Sequence, residues 1–204
     1  GRLTVVQIDA HADLRSQLDD EPYSHASAAA RALDLGVGCL IQVGVRAHSL
    51  EEQQRINEDA RITTWFARDV MAPYGGEANW DSFIQMLNSV EGPVHLTFDI
   101  DGLDGTLVPA TGTPVPGGLT FWHAVQVIET LFSAPKATVI SADVNEIARQ
   151  EDSPLTQFTA AMLATKIVGA HVAARRAGQW KKAASGRAGV RVPMFRRTFT
   201  NGPS

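Results

Sequence analysis

Residues 9 to 13 read Asp-Ala-His-Ala-Asp, and residues 99 to 101 read Asp-Ile-Asp. Each stretch follows an apolar run, LTVVQI in the first case and VHLTF in the second, and each sets reactive side chains at every second position. In extended backbone, side chains two apart share a face. Asp9, His11 and Asp13 would then crowd one volume, and Asp99 and Asp101 another. If the two runs are neighbouring strands, four carboxylates and one imidazole converge. An unpaired buried ion costs on the order of several kcal/mol, so such a cluster needs compensation. Two divalent cations would balance the four negative charges. A donor set rich in oxygen, with an imidazole and no thiolate, suits Mn2+ better than a structural zinc site. Hydroxide bridging such a pair is a nucleophile at neutral pH. One Asp-x-His-x-Asp alone would also fit a surface turn of scattered polar residues; a second motif at another strand end argues against that.

The remaining sequence has to supply neighbouring strands. Apolar, β-branched runs at Leu3–Ile8, Cys39–Val45, Ile62–Phe66, Val94–Phe98 and Ala137–Ala142 alternate with stretches of helical periodicity. The helical stretches are Ala26–Leu35, Ser49–Asp59, Trp80–Val90, Phe121–Phe132 and about Leu155 to Ala174, the last with Ser153 as N-cap and Pro154 at its first position. Strands that are almost wholly apolar, separated by helices, predict a parallel sheet covered on both faces, an open α/β sandwich. Ligands of such sheets bind beyond the carboxyl ends of the strands. Three strands discharge acidic groups there: Asp9 and Asp13 after the first, Asp99, Asp101 and Asp104 after the fourth, Asp143 and Glu146 after the fifth.

The 204 residues suffice for one domain with a real core. A hydrophobic content of 44% and a charged content of 20% are those of an ordinary globular chain, and no apolar stretch approaches the ~18 residues of a membrane span. No secretory leader is expected, and the single Cys39, read as a buried hydrophobe, points to a reducing, cytoplasmic setting. The net charge of −4 is uneven. Residues 173–204 carry eight Lys or Arg and no Asp or Glu, which leaves residues 1–172 at a formal −12. The tail is expected to be solvated and disordered; its spacing fits no nucleic-acid motif, and neither nucleic acid nor membrane is an expected partner.

The segments DAHADLR, PYSHAS, FDIDGLD with PATGTPVPGGL, and ADVNE, in that order, resemble the signatures of the ureohydrolase (arginase/agmatinase) family over about residues 1–170. The resemblance implies a three-layer α/β/α sandwich with a mainly parallel sheet, and two Mn2+ per subunit in the complete enzyme. It implies that Asp9 and Asp99 bridge the ions, that His11 and Asp101 complete the shell of one, and that Asp13 binds the other. Bridging hydroxide would attack a guanidinium carbon, giving urea and an amine. Asp13 would also assist proton transfer, His25 would shuttle protons, and Glu146 would hold the guanidinium. Trimers or hexamers are implied as well.

The loop DLRSQLDDEPYSHAS looks more like agmatinases than arginases, and Asp19, Asp20 and Glu21 would favour a cationic or neutral tail over a carboxylate one. Agmatine is therefore the expected substrate and putrescine, a polyamine precursor, the expected amine. Arginase, guanidinobutyrase and formimidoylglutamase activities are the alternatives within the family. Its members also carry a metal-binding histidine in a Gly-Gly-Asp-His motif before the point where this sequence starts on Gly1, so the sequence reads as N-terminally truncated, with 1–172 as the catalytic domain. A non-catalytic member, or a metal-deficient fragment lacking that histidine and serving structurally, is the alternative of another class. Departures from the pattern fall at Asp104-Gly105, Pro109-Ala110 and Ile147-Ala148, where the family has Asp-Pro, Pro-Gly and Asn-Pro or Ser-Pro. His95 reads as a satisfied core histidine on the face of Asp99, His48, His123 and His171 have no motif context, and the four Trp read as packing residues.

Overall fold

A computed structural model of the chain describes residues 2–71, 76–149 and 153–178. The five apolar runs form five strands: β1 (Thr4–Ile8), β2 (Cys39–Val45), β3 (Ile62–Phe66), β4 (Gly92–Asp99) and β5 (Ala137–Asn145). They make one sheet in the order β3-β2-β1-β4-β5, and every neighbouring pair is parallel. From β1 the chain moves outward through β2 to β3, then returns to lay β4 on the other side of β1. The reversal lies between β1 and β4, where open α/β sheets place their ligands. Register pairs Ile8 with Phe98, so residues 9 and 99 leave the sheet side by side.

Among the described residues six α-helices cover the sheet: α1 (Ala28–Asp34), α2 (Leu50–Glu58), α3 (Ala67–Met71), α4 (Gly76–Asn88), α5 (Phe121–Ser133) and α6 (Leu155–Arg176). Alternation sorts the strand residues. Val6, Ile8, Ile41, Val43, Leu96 and Phe98 pack on one face with Phe83 and Leu87 of α4, Ile128 of α5 and Leu163 of α6. Val5 and Leu40 face the opposite way, against Ala29 and Leu33 of α1, and Ile56 of α2 joins them. The result is the expected three-layer α/β/α sandwich. On the α1 side of β4 and β5, the same alternation presents His95, Thr97, Asp99, Asp143 and Asn145, which are half-buried or exposed.

Several boundaries differ from the sequence reading. β5 runs on to Asn145, so Asp143 lies within a strand, and Asp99 is the last residue of β4. A 3-10 turn at His25–Ser27 precedes α1, and α3 is a short helix that the sequence pattern did not signal. α6 starts at Leu155 with Pro154 as its N-cap and no side-chain cap, so Ser153 does not cap it. α6 continues through Arg176, past the expected boundary at 172, and the rest of the basic tail, 179–204, lies outside the described residues together with Trp180. Cys39 is half-buried rather than buried, and Trp122 is exposed rather than packed. No helix among the described residues is long and apolar enough to cross a membrane.

Candidate metal centre

The ends of β1 and β4 carry two groups of possible ligand atoms. In one, atoms of Asp9, His11 and Asp101 all lie within 4.8 Å of one another; in the other, atoms of Asp9, Asp13 and Asp99 do. Asp9 belongs to both and is 1% exposed. The five residues expected to bind metal are thus brought together, though not by simple alternation. β1 ends at Ile8, and Asp13 reaches the cluster through a left-handed turn with φ 54°. After Asp99 the chain enters a 3-10 turn, Ile100–Gly102, which swings Asp101 away from the Asp99 face into the His11 group. Asp99 joins Asp13 and Asp9, so Asp9 is the carboxylate common to the two groups.

The backbone comes very close here. A Cβ on Gly102 would sit 2.8 Å from Asp9 N and 3.0 Å from Ile8 C, so only glycine lets the turn after β4 press on the end of β1. That contact puts Asp101 Oδ1 3.3 Å from the Ala10 N–H that donates to it. Asp9 accepts from His11 N and from Gln7 Nε2, both at 2.7 Å.

These donors do not neutralise the cluster. Burial, reinforced by the charges of Asp9 and Asp99, lifts Asp13 to about 9. Burial, with the charges of Asp9 and Asp101, lifts Asp99 to about 8. Burial raises Asp9 as well. Hydrogen bonds to Asp101 and then Asp9 raise His11 to about 10, with Nδ1 3.3 Å and 3.4 Å from their carboxylate oxygens. Burial also acts to raise Asp101, but the His11 hydrogen bond and charge outweigh it and hold that group low. Carboxyls pushed this far, with one protonated imidazole lodged among them, fit a site made for divalent cations.

A cleft of about 430 Å3 opens on the cluster, lined by His11, Asp13, Asp99 and Asp101 and by His25 and Glu146. His25 is exposed at the start of its 3-10 turn, and Glu146 is held at φ 61°. Left-handed backbone is costly outside glycine, and here it falls on two of the residues singled out for chemistry, Asp13 and Glu146. The loop after Glu146 is tied down by Ala148 N donating to Ala110 O at 3.0 Å, a bond that proline at 148 could not make.

Three residues without a role in the sequence reading also matter. His48 lines the cleft. Glu52 lines it too, is 3% exposed, and works in two directions: Oε2 accepts Ser49 N in the capping box of α2, while Oε1 accepts Leu14 N beside Asp13. The Ser-x-x-Glu box was a legible helix start. Arg46 is the third. Other expectations fail. Asp19, Asp20 and Glu21 do not line the cleft; they form the turn beside it, with Glu21 bonded to Tyr23 N and Asp20 to Gln17. His95 is satisfied, with Nε2 3.2 Å from Asp143 and Nδ1 2.8 Å from Ser141 Oγ, but it is half-buried and not in the core. Asp104 leaves the metal cluster to accept Thr106, Gly117 and Gly118 N–H groups, and its carboxyl is held at about 2, first by the Thr106 hydroxyl. His123 caps α5 with Thr120.

The sequence profile of the Arginase family matches residues 1–170. The chain belongs to the arginase family. It is 36% identical over 165 residues to an N(1)-aminopropylagmatine ureohydrolase of Thermococcus kodakarensis, covering 81% of this chain and 53% of the relative. It is 35% identical over 164 residues to an agmatinase of Pyrococcus horikoshii, covering 80% and 54%. The agmatine ureohydrolase of Thermoplasma volcanium superposes with a TM-score of 0.69 at 28% identity, over 83% of this chain and 55% of that one. The arginase of Bacillus caldovelox gives 0.69 at 26%, over 82% and 60%. This arginase-family chain spans about half the length of the curated relatives it matches.

Proposed function

We propose that the protein is a manganese-dependent amidinohydrolase that cleaves agmatine to urea and putrescine. The observation that carries this reading is the acidic cluster between β1 and β4, five donors in two groups sharing Asp9, on a chain of the arginase family. Asp9, His11, Asp13, Asp99 and Asp101 would hold two Mn2+. When bound, the ions supply a water acidified enough to attack carbon near neutral pH.

The remaining work falls to side chains. Glu146 accepts N–H groups of the planar guanidinium, a donor shaped for a carboxylate, and so fixes the reacting carbon above the cluster. Asp13 takes up the proton released as water adds to the guanidinium carbon and gives it to the amine nitrogen as the C–N bond to that nitrogen breaks. His25, exposed in the cleft, carries protons between Asp13 and solvent. Agmatine as substrate draws on the relatives and not on the acidic triplet, which lies outside the cleft lining. The names of the two relatives of 36% and 35% identity specify aminopropylagmatine and agmatine, and the former is the second reading. A homo-oligomer, trimer or hexamer, working in the cytoplasm completes the proposal.

Urea release tests it, measured on the manganese-loaded protein with agmatine, N1-aminopropylagmatine, arginine, 4-guanidinobutyrate and formiminoglutamate. The highest kcat/KM is expected with agmatine. Tenfold faster turnover of arginine or guanidinobutyrate would overturn the substrate, formamide in place of urea would overturn the reaction, and bound manganese without hydrolysis would mark a non-catalytic homologue.

A further inference from the structure

Arg46 follows β2 and belongs to neither donor group, yet it touches both ligand-bearing segments. Its backbone N–H donates to Ala10 O at 2.9 Å, between Asp9 and His11. Its guanidinium reaches the other side of the site. Nη2 donates to Asp101 O at 2.7 Å, Leu103 O at 3.0 Å and Val115 O at 2.7 Å. Nη1 donates to Gly44 O at 2.9 Å, and Nε to Pro116 O at 3.1 Å. Every one of these acceptors is a main-chain carbonyl, drawn from the end of β2, the turn after β4 and the 113–118 loop.

We propose that Arg46 is a positioning residue of the metal centre: it sets the separation between the Asp9–His11 segment and the Asp101 turn, and clamps the 113–118 loop onto both. The inference rests on the metal-dependent reading of the site given above. Only arginine meets the geometry, because five N–H donors in one rigid plane can bond carbonyls in several directions, whereas lysine offers a compact charge on a flexible stem. The loop is shaped to the guanidinium. A Cβ on Gly118 would lie 2.6 Å from Arg46 Nη2 and 2.6 Å from the carbonyl carbon and oxygen of Leu103. From the other side, Asp104 Oδ2 accepts Gly117 N at 2.7 Å and Gly118 N at 3.1 Å, and Leu119 N donates to Gly102 O at 3.0 Å. The loop therefore ends against the turn that carries Asp101, and Thr113 from the same loop lines the cleft. Groups that orient metal ligands typically carry about 10- to 100-fold of metal affinity.

The test uses Arg46→Lys and Gly118→Ala in the 204-residue chain, the second keeping the charge but displacing Nη2. Two quantities are read: hydrogen–deuterium exchange without metal, and calorimetric titration with Mn2+. Both variants should fold, exchange about tenfold faster at 101–104 and 117–119 with β3 unchanged, and bind Mn2+ at least tenfold more weakly than the unaltered chain. Unchanged exchange at 101–104 would overturn the proposal. So would unchanged Mn2+ affinity, or global unfolding of both variants, which would make Arg46 a folding residue. If the unaltered chain takes up no Mn2+, the metal-dependent reading falls, while the exchange data still decide whether Arg46 orders the two segments.

Discussion

Two buried polar clusters meet at Asp9 and are built on opposite principles. Across β3, β2 and β1 runs a neutral ladder: Thr64 Oγ1 donates to Gln42 Oε1 at 2.8 Å, and Gln42 Nε2 donates to Gln7 Oε1 at 2.8 Å and to Ala12 O at 2.7 Å. Gln7 Nε2 then donates to Asp9 at 2.7 Å. Gln7 and Gln42 are 4% and 0% exposed, and the amide oxygen and nitrogen of each has a partner. Between β1 and β4 lies the acidic cluster, where His11 is the one basic side chain among four carboxyls and three of those carboxyls sit above their ordinary range. A neutral network closes with protein atoms alone. A charged one of this composition leaves a deficit that side chains cannot fill and that a divalent cation would.

The sharpest way to break the contrast is to remove the residue that both clusters share. Asp9→Asn should cut Mn2+ affinity by more than about 100-fold, a larger loss than that of an outer group, and abolish urea release; equilibrium dialysis with metal analysis reads the first. Next, His25→Asn should lower kcat by about 100-fold while manganese content stays constant, and lost metal would contradict the shuttle role. Breaking the neutral side instead, Gln42→Leu leaves Gln7 and Thr64 short of partners and should destabilise the fold by about 1–3 kcal/mol in urea titration. The smallest effect is one of pH. Asp13 and Asp99 hold their protons more tightly folded than unfolded, so their contribution to stability is complete below about pH 4 and is lost as pH rises through about 8 and 9. His11 adds a loss between its ordinary 6.5 and about 10. The metal-free chain should therefore melt several degrees lower at about pH 9 than at about pH 6, and Mn2+ should flatten the slope.

What the sequence disclosed follows from what each feature depends on. The five strands were legible because Leu3–Ile8 and its counterparts are mostly apolar, β-branched runs set between helical stretches, a local property. Convergence of Asp9 with Asp99 was legible because both follow strands of one parallel sheet. The left-handed turns at Asp13 and Glu146 were not, since tertiary bonds hold them: Leu14 N to Glu52, 38 residues away, and Ala148 N to Ala110 O. Asp101 escaped the alternation rule because Gly102 lets the chain coil against β1. Arg46 carried no local signal, as every acceptor of its guanidinium except Gly44 O lies more than fifty residues away in sequence.

The central claim is that divalent ions compensate the carboxyls between β1 and β4. Anomalous scattering at the manganese edge, from crystals of the chain grown with Mn2+, tests it most directly. Peaks are expected within bonding distance of Asp9, flanked by His11 and Asp101 on one side and by Asp13 and Asp99 on the other. Ordered carboxyls with no peak between them at saturating Mn2+ would contradict it.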